Sequence, residues 1–156
     1  MSESSFTLLR DIGSIAVRDN EDIRFSIDAY RGYRYVSVRR YLKTDGFSGA
    51  TRDGITLTPE IVRVLTVRLA ALPDEITQLK DGQVGKFAKR AGICVVVSVA
   101  SFREQRGLDL RNWEEGKGFT KKGIWIPLEK LPQVKNLLQE TVKALDEQPE
   151  DIFDTL

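Results

Sequence analysis

Residues 24–42, RFSIDAYRGYRYVSVRRYL, decide the fold, because their pattern returns 72 positions later in residues 96–114, VVSVASFREQRGLDLRNWE. Ser26 falls on Ser98, Arg31 on Arg103, Arg34 on Arg106 and Arg39 on Arg111. Ile27 falls on Val99, Tyr30 on Phe102, Val36 on Leu108, Val38 on Leu110 and Tyr41 on Trp113. Once three residues are removed after that point, Gly54-Ile55-Thr56-Leu57 lies over Gly123-Ile124-Trp125-Ile126. Self-similarity at a fixed offset marks a repeated structural unit. Two copies are too few for a solenoid, so the repeat implies a pseudo-twofold pair.

Within each copy the apolar spacing is that of strands followed by a helix. Phe25, Ile27 and Ala29 alternate with Arg24, Ser26, Asp28 and Tyr30, the period of a strand covered on one face. Arg31-Gly32 predicts a tight turn, after which Val36 and Val38 resume the covered face. Residues 43–53 are rich in Gly, Asp, Ser and Thr and are expected to form a loop before a third strand at Ile55 and Leu57. Thr58 as N-cap and Pro59 at the first helical position open a helix expected to run to about Leu72 and to stop at Pro73. The second copy predicts strands over 95–102, 106–113 and 122–126. Its helix, expected from about Leu128 or Pro132 to Leu145, carries the stripe Leu131, Val134, Leu138, Val142 and Leu145. An additional strand is expected before each copy, around 14–17 and 83–89. The division is 1–73, 74–145 and an acidic segment, 146–156.

Composition narrows the function. The chain has 156 residues, 41% hydrophobic and 30% charged, enough to fold on one buried core without metal or disulfide. It contains no histidine and one cysteine, Cys94. Ser-His and Cys-His nucleophile pairs, histidine-based zinc sites and the commonest general base are therefore excluded. Cys94, among Ile93, Val95 and Val96, is expected to be a small buried hydrophobe. The paired acids Glu114-Glu115 and Glu150-Asp151 have no evident catalytic partner, and Gly46, Gly49 and Gly54 do not make a phosphate loop. No enzymatic activity and no cofactor are expected. The N-terminus lacks the basic and apolar regions of a signal peptide, and no apolar run approaches a membrane span. A cytoplasmic, nucleoid-associated or nuclear location follows, with no membrane partner.

The net charge of +1 hides an asymmetry: the last eleven residues hold five acids and no base, leaving +6 on the rest. From Arg24 to Lys43 there are six bases against one acid, and from Lys86 to Ile126 nine against four. Two such patches fit either a polyanion partner or a locally basic solvated surface. Period 2 discriminates further, because it sends Tyr30, Tyr35, Tyr41, Phe102, Trp113 and Trp125 to the face away from the helices, with Arg39 and Arg111 beside them. Rings interleaved with Arg suit unpaired nucleic acid, whose bases stack for about 1–3 kcal/mol each while cations hold the phosphates. The same rings could instead make cross-strand pairs or be buried between the two copies.

The stretches RFSIDAYRG (24–32), RYVSVRRYL (34–42) and DGITLTPE (53–60), with VSVASFRE, LDLRNW and KKGIWI at matching places in the second copy, resemble the transcriptional positive coactivator family called positive cofactor four. The resemblance spans most of 23–72 and 93–145. It implies an α+β fold of two repeats, each a curved antiparallel β-sheet followed by one α-helix. Because such subunits form homodimers, it also implies that this chain carries two of them fused as an intramolecular pseudo-dimer, with 73–81 as the crossover. The implied function is binding of single-stranded DNA with little sequence preference, at melted DNA in transcription, replication or repair.

By that resemblance the stacking aromatic at the end of the first shared strand is Tyr30 and Phe102, and its neighbouring base Arg31 and Arg103. The arginine of the second strand is Arg39 and Arg111. The bases before the third-strand glycine are Arg52 in one copy and Lys121 and Lys122 in the other. From the residues themselves, Tyr41, Trp113 and Trp125 join as stacking rings, and Arg34 and Arg106 as further nucleic-acid-binding bases. Asp28 and Ala100 stand where the family has arginine, Leu42 and Glu114 where it has tryptophan, and Asp53 where it has a base. These departures make the halves unequal, and Trp113, Trp125 and the lysines make the second half the expected stronger binder. RNA binding on the same face and a protein-interaction module remain the alternative functions. The oligomeric expectation is a monomer as pseudo-dimer or a weak homodimer.

The segment DEQPEDIFDTL (146–156) cannot bury enough to fold alone and is expected to be disordered. It serves either as a solubilising tail, or as a recruiter of a protein partner or a competitor for the basic face.

Overall fold

The computed structural model describes residues 6–147. Four strands, β1 (Thr7–Arg18), β2 (Glu21–Tyr30), β3 (Tyr33–Thr44) and β4 (Phe47–Leu57), pair antiparallel in chain order and lead into helix α1 (Pro59–Ala70). After a crossover with a short 3₁₀ turn at Ile76–Gln78, the pattern repeats as β5 (Gly82–Arg90), β6 (Ile93–Phe102), β7 (Gln105–Glu114), β8 (Gly118–Pro127) and α2 (Leu131–Glu147). The additional strand of each copy is thus present and longer than its sequence pattern shows.

Residues alternate across each sheet as the strand period requires. Phe25 and Ile27 face Val38 and Val36 across β2 and β3, and Val97 and Val99 face Leu110 and Leu108 across β6 and β7. All are buried beneath the helices. Thr58 caps α1 by accepting a hydrogen bond from the Ile61 amide at 3.2 Å, with Pro59 at the first helical position. Ile61, Val62, Leu65 and Leu69 span one stripe of about 100° and are fully buried, which leaves Val64 and Val67 on the opposite, exposed side. The core formed by the two sheets and two helices is one continuous cluster.

The seam between the units is fastened by polar links. Arg34 donates to the Leu145 carbonyl at 3.1 Å and Arg68 to the Val84 carbonyl at 3.0 Å. Lys135 reaches back to the Leu72 carbonyl and to Asp74, while Arg106 binds Asp81 and the carbonyls of Ile76 and Leu79, fixing the crossover.

Three expectations change. Residues 43–53 are not a loop: β3 and β4 continue to a two-residue turn at Asp45-Gly46, and the Gly- and Thr-rich run is strand interrupted by a bulge. Cys94 is half-buried on the face away from the helices, opposite Trp113, rather than in the core. The acidic segment does not begin at 146, because Asp146 and Glu147 complete α2 and pair with Arg63 and Arg10. The remainder of that segment, 148–156, lies outside the described residues. Among the described residues no helix is long and apolar enough to cross a membrane.

Candidate nucleic-acid interface

The face of each sheet turned away from the helices carries the rings. In the first sheet Tyr30 and Tyr33 are opposite one another, Asp28 faces Tyr35, and Asp22 faces Tyr41. In the second, Asp109 faces Trp125 and Trp113 faces Phe119. The turns that end the first shared hairpins match closely. Arg31 and Gly32 have φ of 52° and 83°, and Arg103 and Glu104 have 52° and 66°, the positive pair of a type I′ turn. That conformation places each arginine's guanidinium carbon 5.2 Å from the centroid of the preceding ring, Tyr30 or Phe102.

A bulge is repeated as faithfully. Between the pairs Arg39–Gly54 and Tyr41–Ala50, Arg40 alone opposes residues 51–53; between Arg111–Gly123 and Trp113–Phe119, Asn112 opposes 120–122. Thr51 and Thr120 hold the extra residues by donating to the carbonyls of Arg40 and Asn112 and accepting from the amides of Asp53 and Lys122. Arg39 and Arg111 then donate to the carbonyls of Thr51 and Thr120, both at 3.2 Å. Each guanidinium lies across a glycine, where a Cβ would come within 3.1 Å of it at Gly54 and 2.9 Å at Gly123. The glycines therefore hold open the track of these arginines.

Each ring-bearing face ends at the other unit, and the seam is a groove. The larger, about 700 Å³, has Phe6, Tyr30, Tyr35, Arg39 and Arg52 of the first unit on one bank and Lys89, Arg90, Asn112, Lys121 and Lys122 of the second on the other. Among the described residues its lining holds six cations, three rings and no carboxylate. Phe6 stacks on Tyr30 at 4.7 Å between centroids and meets Tyr35 edge-on at 5.8 Å. The related groove, about 540 Å³, brings Phe102, Arg103 and Trp125 against Arg18 and Arg40, with Lys130 and two acids, Glu21 and Glu129. There Arg40 is already paired with Glu21 and with Asp53 at 3.4 Å.

The structure thus gathers Tyr30, Arg39, Arg52, Lys121 and Lys122 in one groove and Phe102, Arg103 and Trp125 in the other. Arg31 stands exposed at the rim beside Tyr30. Arg111 is on the outer face but is held by both oxygens of Asp109. Tyr41 and Trp113 lie towards the far ends of their sheets under Arg24 and Lys86, each 4.0 Å from the ring centroid, and line neither groove. Arg34 and Arg106 line neither groove. They share strand parity with Val36 and Leu108, so they point to the helix side and bind the seam and crossover. The lysines of the second unit also serve the first unit's face, so the more basic groove is composite rather than a property of the second half.

Sequence reading missed Phe6, Lys89 and Arg90, because no local pattern says that the edge of one unit faces the rings of the other. The Lys89 ammonium is half-buried, and burial, with Arg90 and Lys122 adding to it, lowers its pKa from 10.5 to about 8.

No protein family and no curated protein matches this chain. Among solved structures the chain is similar to the plant transcriptional regulator PBF-2, with a TM-score of 0.34 and 9% sequence identity over 96% of this chain and 95% of that one.

Proposed function

We propose that this chain is a single-stranded DNA-binding protein with little sequence preference, its two repeats acting as an intramolecular pseudo-dimer at melted DNA in transcription, replication or repair. The observation that carries the proposal is the larger groove, where three rings adjoin six cations and, among the described residues, no carboxylate. On this reading the rings stack on any base, while Arg39, Arg52, Lys121 and Lys122 neutralise phosphates of the strand. Duplex DNA keeps its bases stacked on each other and offers these rings nothing, so the site selects unpaired strands. The motif resemblance to the positive cofactor four family supports DNA over RNA. Nothing in this reading requires a catalytic group or cofactor, and a nucleoid-associated or nuclear location accords with it.

A labelled oligothymidylate, its duplex and the RNA equivalent, titrated by fluorescence anisotropy over a salt series, test the proposal. The expected order is single-stranded DNA, then RNA, then duplex, with a log affinity that falls steeply against log salt. Salt-independent binding would point to a protein-interaction module, and equal or tighter RNA binding would transfer the assignment to RNA.

A further inference from the structure

Lys89 is unfavourable for the fold that contains it. It lies on the helix-facing side of β5 in line with buried Gly85 and Phe87, where the first unit has Val17. Its ammonium donates to Oδ1 of Asn112 at 3.4 Å, and Asn112 is itself only 4% exposed. Among the described residues no carboxylate pairs with it. Arg90 flanks it on β5 and Lys122 faces it from β8, both of its own sign. Lys121 on the same bank, and Arg39 and Arg52 across the groove, add further positive charge. The acid Glu114 lines an adjoining recess and is paired with Lys117 at 3.5 Å. A desolvated cation among cations costs stability that a valine would not, and such an uncompensated group at the floor of a groove marks a binding position.

Resting on the nucleic-acid reading above, we infer that Lys89 anchors one phosphate of the bound strand, with Asn112, Arg90 and Lys122 completing the pocket around it. The phosphate supplies the counter-charge that the fold withholds. Arrival of that charge returns the proton that burial had loosened, so binding is coupled to proton uptake at mildly alkaline pH. In the free protein the sign is opposite. The unfolded chain binds the proton more tightly, so the cost of Lys89 is fully present below about pH 8 and is relieved as pH rises from there towards 10.5.

Calorimetric titration of the full chain with single-stranded oligothymidylate at pH 8, in two buffers of different ionisation heat, reads the coupling. With about half of Lys89 neutral at that pH, uptake of up to about half a proton is expected, with affinity falling from pH 7 to 9. Lys89→Met abolishes the uptake, weakens binding about tenfold and raises the melting temperature of the free protein. Lys89→Arg keeps most of the affinity with no uptake, because a guanidinium stays charged. Should the Met variant fail to fold, Lys89→Gln carries the same test. Tight wild-type binding without proton uptake, or wild-type affinity in the Met variant, overturns the anchor and leaves the nucleic-acid reading standing. Absence of wild-type binding overturns both.

Discussion

In the first sheet the ring beside the groove is Tyr35 on β3, and the residue diagonal to it on β4 is the small Thr56. In the second sheet those positions are Gly107 and Trp125, so the bulk has changed strands. The indole lies flat over Gly107, filling the space that the Tyr35 side chain fills in the first unit. Two more exchanges follow the same rule. The acid on the face is Asp28 beside Ser26 and Ser37 in one unit and Asp109 in the other, where Ala100 replaces Asp28. The cation over the far ring is Arg24 from β2 in one and Lys86 from β5 in the other, with Ser14 and Val96 in the vacated places. What repeats is an occupied volume and a charge, and cross-strand neighbours are free to divide them differently. The exchanges are not functionally neutral. Asp109 holds Arg111 in a bidentate pair, whereas Arg39 has a main-chain carbonyl and faces the groove that has no acid among the described residues of its lining.

Charge removal breaks this comparison most directly. The triple variant Arg52→Gln, Lys121→Gln, Lys122→Gln removes three of the six cations of the larger groove and is expected to weaken single-stranded DNA binding about a hundredfold, lowering the salt slope by about two. Arg18→Gln, Arg103→Gln, Lys130→Gln removes three of the four cations of the smaller groove, and a loss under about tenfold is expected because Glu21 and Glu129 lower its positive charge. Anisotropy titrations of both variants at several salt concentrations decide it. Equal losses would make the two grooves equivalent and refute the asymmetry.

A substitution beneath Trp125, a ring of the smaller groove, sharpens the exchange of bulk. Any Cβ on Gly107 overlaps the indole of Trp125, so Gly107→Ala forces the ring off the sheet at a cost of about 1–3 kcal/mol in unfolding free energy. The indole then meets solvent and its emission shifts to the red. Gly107→Tyr combined with Trp125→Thr installs the first unit's arrangement and is expected to recover at least half of that loss. If the double variant is no better than Gly107→Tyr alone, the positions are not coupled and the exchange is coincidental.

How much of this was legible follows from what is local. The repeat, the covered valines and isoleucines, the Thr58-Pro59 start of α1 and the outward rings all depend on neighbours within a few residues, and they stand as the spacing implies. Arg34 and Arg106 read as contacts for nucleic acid, although strand parity alone places them beside Val36 and Leu108 on the helix side. Their basic character outweighed the period that fixed their direction. The bulge at residues 51–53 was hidden for a different reason. It is closed by Thr51, a residue type that also signals loops, and only the partner strand shows which role it has. The composite groove was beyond reach altogether. Lys89 and Arg90 acquire their meaning from Tyr30 and Tyr35, some sixty residues away and in the other unit.

The smallest effect belongs to the two hairpin turns. Gly32 takes its positive φ of 83° without steric cost, but the equivalent residue of the second unit is Glu104, held at 66°. An L-residue in this region loses about 1–2 kcal/mol to the clash of its Cβ, part of which glycine returns as entropy in the unfolded chain. Glu104→Gly is therefore expected to stabilise the protein by about 0.5–1 kcal/mol, raising the melting temperature by about 2 °C. Gly32→Glu should lower it by a similar amount. Neither residue lines the larger groove, so single-stranded DNA affinity should stay within about twofold. Thermal unfolding of the two variants side by side measures the turns against each other. A destabilised Glu104→Gly would show that the Glu104 side chain makes a compensating contribution that the Gly32 turn lacks.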